Sequence, residues 1–124
     1  MSKSLSKIRL SAFNHQGGRC YYCGLPMWES NIAAFSVQYK ITLKQAKAFQ
    51  STAEHLLARQ DGGTDTASNI VAACRFCNGH RHFRKNARQP EAHQRHVRIR
   101  MTQGHWHPRS IHSSALVKGS RDGT

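Results

Sequence analysis

The four cysteines of this chain form two Cys-x-x-Cys pairs, Cys20 with Cys23 and Cys74 with Cys77, and fifty residues separate the pairs. The short turn within each pair places both sulfurs on one side, with backbone N–H groups directed at them. Two such pairs can arrange four thiolates as a tetrahedron around one Zn²⁺. The alternatives are a redox dithiol and four free buried thiols, but the paired spacing favours zinc. We therefore predict a structural zinc site and a substructure between the pairs.

A zinc cross-link suits the size and composition of the chain. Its 124 residues are enough for one small domain, and hydrophobic residues make up only 38%, so a core of this material alone would be thin. The longest apolar run, residues 70–74, is too short to span a bilayer. The N-terminal MSKSLSKIRLSAF lacks the apolar segment of a signal peptide. We expect a cytoplasmic protein with no membrane partner, in a reducing compartment that disfavours disulfides.

The charge of the chain is strongly positive and concentrated in its C-terminal part. Nineteen Lys and Arg against six Asp and Glu give a formal net charge of +13. Residues 80–124 hold ten of the basic groups and two of the acidic ones, together with seven of the nine histidines. A field of this size attracts polyanions, of which nucleic acid is the commonest. Membrane phosphates and plain solubility are the alternatives, and we favour nucleic acid.

The first half of the chain contains a basic leader and an insert with weak structural signals. Residues 1–18 are polar and basic, and residues 24–52 form the insert between the first cysteine pair and the first strand. An alternating apolar pattern in the insert is typical of a strand, although a helix could equally begin near Asn31: Ala33, Phe35, Val37 and Tyr39. Thr42 can cap a short helix that carries Leu43, Ala46 and Phe49 on one face.

The second half of the chain has clearer signals. Residues 53–58 and 69–74 predict two short strands joined by a loop rich in turn formers. A basic helix is predicted from Asn78 to about Arg88, and a second helix from Pro90 to about residue 104. Residues 109–124 are polar and are predicted to be disordered. The order is therefore cysteine pair, insert, strand, loop, strand, cysteine pair and helix.

This order of elements, together with the residues on it, resembles the HNH endonuclease family. The matching stretch is EHLLARQDGGTDTASNIVAACRFCNGHR, preceded by CYYC of the first cysteine pair. An acid–His pair, a Gly-Gly loop, an Asn and a cysteine pair occur together here, although each alone would be a weak signal. The resemblance implies a small α+β domain of the ββα-metal, treble-clef-like type, with a structural zinc held by four cysteines and with additional helices. We expect the domain to cover residues 19–108, with its core in 19–23 and 53–90.

The resemblance also implies a role for each residue of the motif. His55 would act as general base on the attacking water, as suits an imidazole pKa near neutrality. Glu54 and Asn78 would hold one Mg²⁺ or another divalent ion, and Asn69 would tie the loop and orient His55. The family often has His where this chain has Asn78, and Asp where it has Glu54. Both replacements still supply an oxygen that can bind a hard cation.

Each of these four residues has an ordinary structural alternative. His55 could be a partly buried histidine, and Glu54 a surface carboxylate that points to the opposite face of the strand. Asn69 could be a turn residue and Asn78 a helix N-cap. Their joint presence at these spacings favours the catalytic interpretation.

Basic residues beyond the second cysteine pair predict the surface that binds nucleic acid. A continuous helix would place four of them on one broad face, where they could contact phosphates along a groove: Arg81, Arg84, Lys85 and Arg88. The alternative is a solvated charged face. His80 and His82 could assist phosphate binding or form a second metal feature, and the sequence does not decide between these.

The features together predict an endonuclease that hydrolyses phosphodiester bonds in DNA, with RNA as a second candidate substrate. The alternative is a non-catalytic, zinc-stabilised module that binds nucleic acid. A rubredoxin-like iron site fits the cysteine pairs but explains neither the charge nor the motif. A single active site would nick one strand per monomer, and cleavage of both strands would require a homodimer. Small nucleases of this kind are expected in bacteria and phages.

Overall fold

The computed structural model describes residues 2–122, and the side chains of residues 4–119. Two strands, β1 (Ser51–His55) and β2 (Ile70–Cys74), pair in antiparallel register, with Ser51 opposite Cys74 and His55 opposite Ile70. The α-helices of this part of the chain are α1 (Ser2–His15), α2 (Ile32–Tyr39), α3 (Leu43–Ala46), α4 (Arg75–His82), α5 (Pro90–Thr102), α6 (Arg109–His112) and α7 (Ala115–Asp122). The order β1, β2, α4 confirms the predicted small α+β fold of the ββα-metal type.

The first cysteine pair lies in a tight turn that packs against β2. The N–H of Cys20 donates to the carbonyl of Leu25 (2.9 Å), and the N–H of Tyr21 donates to the carbonyl of Ala72 on β2 (3.0 Å). Gly24 closes the turn with a φ of +77°, a conformation that costs other residues free energy. The turn therefore brings the first cysteine pair next to the strand that leads to the second pair.

The insert is helical rather than extended. The side chain of Asn31 accepts a hydrogen bond from the N–H of Ala34 (2.9 Å) and so caps α2. Only Phe35 of the alternating residues is fully buried, where it packs against Phe49, whereas Val37 is 78% exposed. Thr42 caps α3 through a capping box, as predicted, and Phe49 follows in a short 3-10 helix, Lys47–Phe49.

The basic helix is shorter than the sequence predicts and begins earlier. Helix α4 begins at Arg75 because the sulfur of Cys74 accepts a hydrogen bond from the N–H of Cys77 (3.4 Å), as an N-cap does. It ends at His82, and residues 83–89 are irregular up to α5. Proline disfavours a helical conformation in the residue before it, so a break ahead of Pro90 is expected. Pro90 begins α5 as predicted, and Gly104, with a φ of +74°, follows its end.

The polar tail is folded up to residue 122, which contradicts the prediction of disorder for that segment. Helices α6 and α7 place Ile111, Leu116 and Val117 in the hydrophobic core, each at most 3% exposed. A few apolar residues among many polar ones are enough to hold short helices when a core is present to receive them. The prediction for residues 123–124 lies outside the described residues. Within residues 2–122, no helix is both long and apolar enough to span a bilayer.

Candidate metal centres and active site

The two cysteine pairs meet in one buried cluster. The ligand atoms of all four cysteines lie within 4.8 Å of one another. The N–H groups of Tyr22 and Cys74 both lie 3.3 Å from Cys20 Sγ. The indole N–H of Trp106 lies 3.2 Å from Cys77 Sγ. Donors directed at sulfur stabilise thiolates, which are the form of cysteine that binds metal.

The electrostatics of this cluster require a cation if all four sulfurs are to be ionised. Burial raises the pKa of the Cys74 and Cys77 thiols, and hydrogen bonds with the other cysteine pair add to this effect. At Cys20 burial acts in the same direction, but hydrogen bonds from the other three cysteines outweigh it and lower the pKa. A divalent ion would supply the charge that four buried thiolates need. The four-cysteine cluster therefore fits Zn²⁺ in donor type, number and proximity.

Glu54 is a buried carboxylate rather than a surface one. Its residue is only 1% exposed, and Oε2 accepts hydrogen bonds from the hydroxyl of Tyr22 (2.8 Å) and from Nη1 of Arg81 (2.8 Å). The other oxygen, Oε1, lies 2.9 Å from Nε2 of His82. Burial, followed by the charge of Glu54, raises the pKa of Tyr22, which therefore stays a neutral donor. Glu54 thus faces α4 with one oxygen tied to Arg81 and the other next to a histidine.

Asn78 and His82 lie one helical turn apart on the side of α4 that faces β1. The amide nitrogen of Asn78 donates to Oγ1 of Thr52 (3.0 Å), two residues before Glu54 on the strand. Strand alternation places Thr52 and Glu54 on the same face. Thus Asn78 stands over Thr52, and His82 stands over Glu54. From the sequence His82 was a candidate for phosphate binding or for a second metal feature, and its spacing from Asn78 could have placed it in this group.

His55 has a separate environment from its neighbour Glu54. Its Nε2 lies 2.7 Å from Oδ1 of Asp65, and Arg59 contacts both residues, with Nη2 3.0 Å from Oδ2 of Asp65. The hydrogen bond from His55 lowers the pKa of Asp65, and Arg59 adds to this effect. Asp65 is therefore an ionised partner of the imidazole. Asp65 was not among the site residues predicted from the sequence, where it lies in a loop rich in turn formers.

Asn69 ties the loop that carries Asp65. Its Oδ1 accepts from the N–H of Leu57 (2.8 Å), and its Nδ2 donates to the carbonyls of Leu57 (3.0 Å) and Thr64 (3.0 Å). A Cβ at Gly63 would lie 1.7 Å from the carbonyl oxygen of Leu57, so no other residue fits this turn without a backbone shift. Asn69 and Gly63 therefore fix the shape of the loop that carries Asp65 beside His55.

Arg81 does not lie on an exposed basic face, which corrects the prediction for this residue. It is 5% exposed, and its guanidinium donates to Glu54 and to the carbonyls of His55 (3.1 Å), Leu56 (3.2 Å) and Arg88 (2.9 Å). The buried carboxylate of Glu54 requires a paired charge, and Arg81 supplies it. Because α4 ends at His82, the basic residues that follow do not share a helix face with Arg81: Arg84, Lys85 and Arg88.

Replacing Arg81 by Met is expected to lower the free energy of unfolding by about 3–5 kcal/mol, because it leaves the charge of Glu54 buried without its partner. Arg84→Met removes the same charge at an exposed position, and we expect a change within about 0.5 kcal/mol. Urea unfolding followed by circular dichroism measures both. Equal midpoints for the two variants would contradict the structural role of Arg81.

The model of the family described as HNH endonuclease matches residues 20–84, just over half of the chain. The chain belongs to the HNH endonuclease family. The matched region contains both cysteine pairs, Glu54, His55 and α4, which confirms the resemblance predicted from the sequence. Comparisons with curated proteins and with solved structures found no match.

Membership of the HNH endonuclease family makes nucleic acid the expected partner. HNH domains typically act as nucleases on nucleic acids, which agrees with the net charge of +13. With the four-cysteine cluster, the match supports an HNH nuclease or a zinc-containing module of the same family.

Proposed function

We propose that this HNH domain is a metal-dependent endonuclease that hydrolyses phosphodiester bonds in DNA. The observation that supports this most directly is the placement of Glu54, whose buried carboxylate has Oε1 2.9 Å from Nε2 of His82. The pair of Glu54 with Arg81 has a structural use, but a carboxylate oxygen beside the partly exposed imidazole of His82 is also a donor set that suits a divalent ion. His55, the next residue along the strand, lies beside an ionised Asp65. A candidate metal ligand, Glu54, and a candidate general base, His55, thus lie next to each other at the end of β1.

The residues that would hold the divalent ion are Glu54, His82 and Asn78. Glu54 offers Oε1, His82 offers Nε2, and the amide oxygen of Asn78 is available because its contact with Thr52 uses the nitrogen. His82 has a side-chain exposure of 36%, so the site is open to solvent and substrate on that side. Oxygen ligands suit Mg²⁺ and Mn²⁺, and the imidazole favours the transition metal. When bound, the ion would stabilise negative charge on the phosphate and on the leaving oxygen.

His55 would take the proton of the attacking water. The carboxylate of Asp65 fixes Nε2, which leaves Nδ1 as the nitrogen that accepts this proton. The water oxygen then forms a bond to phosphorus, and the bond from phosphorus to the leaving oxygen breaks. Asn69 and Gly63 support this step by shaping the loop that carries Asp65.

Exposed basic residues beyond α4 would hold the DNA backbone. Arg84 and Lys85 are exposed and directly follow Phe83, the first residue after α4, whereas Arg88 is half-buried. No acidic residue occurs between Asp65 and Glu91 in the sequence, so the exposed Arg84 and Lys85 have no acidic neighbours along the chain. Contacts of this kind provide affinity for phosphates without reading base sequence. We therefore propose a nuclease with little sequence preference of its own.

Metal-dependent nicking of a supercoiled plasmid tests the proposal. We expect open-circular product with Mg²⁺ or Mn²⁺ and none without a divalent ion, because Glu54 and His82 act only with an ion between them. His82→Ala should need a higher Mn²⁺ concentration for the same rate, since it removes one ligand while leaving the buried Glu54–Arg81 pair intact. The control is His105→Ala, an exposed histidine outside the site.

Two results of this assay would contradict the proposal. Tight plasmid binding without cleavage under either metal would favour the non-catalytic binding module. Identical Mn²⁺ dependence for His82→Ala and the wild type would remove His82 from the metal site.

The same assay reports on the oligomeric state. Linear product that increases with the square of the protein concentration would support a homodimer.

A further inference from the structure

A large aromatic side chain is almost fully exposed just beyond the end of α4. Phe83, the residue after His82, is 89% exposed, more than the other large hydrophobic residues in the described part of the chain. Single exposed hydrophobic residues are common on protein surfaces. Phe83 differs because it is one wall of a cleft.

The cleft lies on the outer face of α4. It has a volume of about 380 Å³, and it is lined by Arg75, Phe76, Gly79, His80 and Phe83. The rings of Phe76 and His80 are stacked, with centroids 4.0 Å apart. The Nδ1 atom of His80 lies 2.8 Å from the carbonyl oxygen of Phe76, which fixes the orientation of the imidazole. One aromatic wall is therefore held in place, and Phe83 forms the other.

Gly79 forms the floor of the cleft, and the fold itself does not require a glycine there. It lies inside α4, where glycine is less favourable than alanine. A Cβ at this position would meet no atom of the protein within 4 Å, and its φ lies outside the left-handed region. The missing side chain therefore leaves room for a ligand to approach the helix backbone from solvent.

The surroundings of the cleft indicate a ligand that is both aromatic and anionic. The exposed Arg75 lines the cleft. The exposed Arg84 and Lys85 directly follow Phe83, and no acidic residue occurs between Asp65 and Glu91 in the sequence. Aromatic faces flanked by cations are typical of sites where proteins stack on nucleobases while contacting phosphates. His82 directly precedes Phe83 in the sequence, so the cleft and the proposed metal site both include residues from the C-terminal end of α4, on different faces of the helix.

We infer that this cleft takes one unstacked nucleobase of the substrate, with Phe83 and the Phe76–His80 stack as its walls and Gly79 as its floor. The inference rests on the proposed function and names its substrate class, which is DNA with a base already out of the helical stack. A bulge or a mismatch provides such a base at a smaller energetic cost than intact duplex does.

The test compares the affinity of the zinc-containing protein for two labelled duplexes, one fully matched and one with a single bulged base. No divalent ion is added, so that cleavage does not interfere, and fluorescence anisotropy gives each Kd. We expect the wild type to bind the bulged duplex about tenfold more tightly, as expected for one stacked base. Phe83→Ala and Gly79→Leu should lose this preference, the first by removing a wall and the second by filling the floor. Phe83→Trp should keep it.

The matched controls are Val37→Ala and Gly119→Leu. Val37 is a hydrophobic residue of α2 that is 78% exposed, and Gly119 is a helical glycine of α7 whose Cβ would also meet open space. Both should behave as the wild type. Equal affinity of the wild type for the two duplexes would overturn this inference and leave the proposed nuclease standing. A preference that survives in Phe83→Ala and Gly79→Leu, or that is lost equally in Gly119→Leu, would also overturn it. No binding to either duplex would overturn the proposed function as well.

Discussion

Replacing His55 by Ala is expected to lower the rate of metal-dependent plasmid nicking by roughly 10²–10⁴-fold, the usual contribution of a general base. The ring of His55 lies at the end of β1 beside the ionised Asp65. Its removal takes away the proton acceptor while leaving Glu54, Asn78 and His82 in place. Affinity for DNA should therefore change little. The measurement is the initial nicking rate with Mn²⁺, together with a separate binding curve on uncleaved DNA.

The matched control for this variant is His15→Ala. His15 is an exposed histidine at the end of α1, and its loss should leave the nicking rate unchanged. A His55→Ala protein that is folded and nicks at the wild-type rate would show that another group accepts the proton. That result would leave the enzyme class standing but remove His55 from the mechanism.

The metal cluster could be predicted from the sequence because its information is local. A Cys-x-x-Cys turn fixes two sulfurs on one side whatever surrounds it, and two such turns are enough to specify a four-ligand site. The ββα unit could be predicted for a similar reason, since β1, its loop and β2 carry their own strand and turn signals. The four-cysteine cluster and the register of Ser51 with Cys74 agree with that prediction.

Arg81 could not be placed correctly from the sequence because its position depends on a residue distant in the chain. In the run from His80 to Arg88 it resembles the other basic residues, which predicts exposure. Its burial follows from Glu54, which β1 turns toward α4 and which needs a compensating charge inside the protein. Local charge patterns do not contain this information.

The helical tail shows a different limit of sequence reasoning. Ile111, Leu116 and Val117 are surrounded by polar residues, so neither composition nor periodicity predicts ordered helices there. Short helices have little stability of their own, and most of it comes from packing against other elements. These three residues are buried in the same cluster as Trp106, a tertiary contact that no local window of sequence contains.

Removing zinc, or replacing Cys77 by Ser, is expected to unfold the domain. Binding of structural zinc contributes about 10–16 kcal/mol to folding in small zinc domains, whereas a whole domain is stable by only about 5–15 kcal/mol. Cys77 is fully buried, and a serine hydroxyl does not supply the thiolate that binds zinc, so the variant loses one of the four ligands. Far-UV circular dichroism should show loss of helix, and metal analysis should show loss of zinc in parallel.

The control for this prediction is Ile111→Val, a buried substitution that removes no metal ligand, which should cost only about 0.5–1.5 kcal/mol. Adding Zn²⁺ to the metal-free wild type should restore the helical signal, and adding Mg²⁺ should not, because thiolates bind the softer ion. A colourless purified protein with one zinc per chain would exclude the rubredoxin-like iron site, since ferric thiolates are coloured. A Cys77→Ser protein as stable as the wild type would instead mean that packing alone holds the two cysteine pairs together, and the structural role of zinc would have to be abandoned.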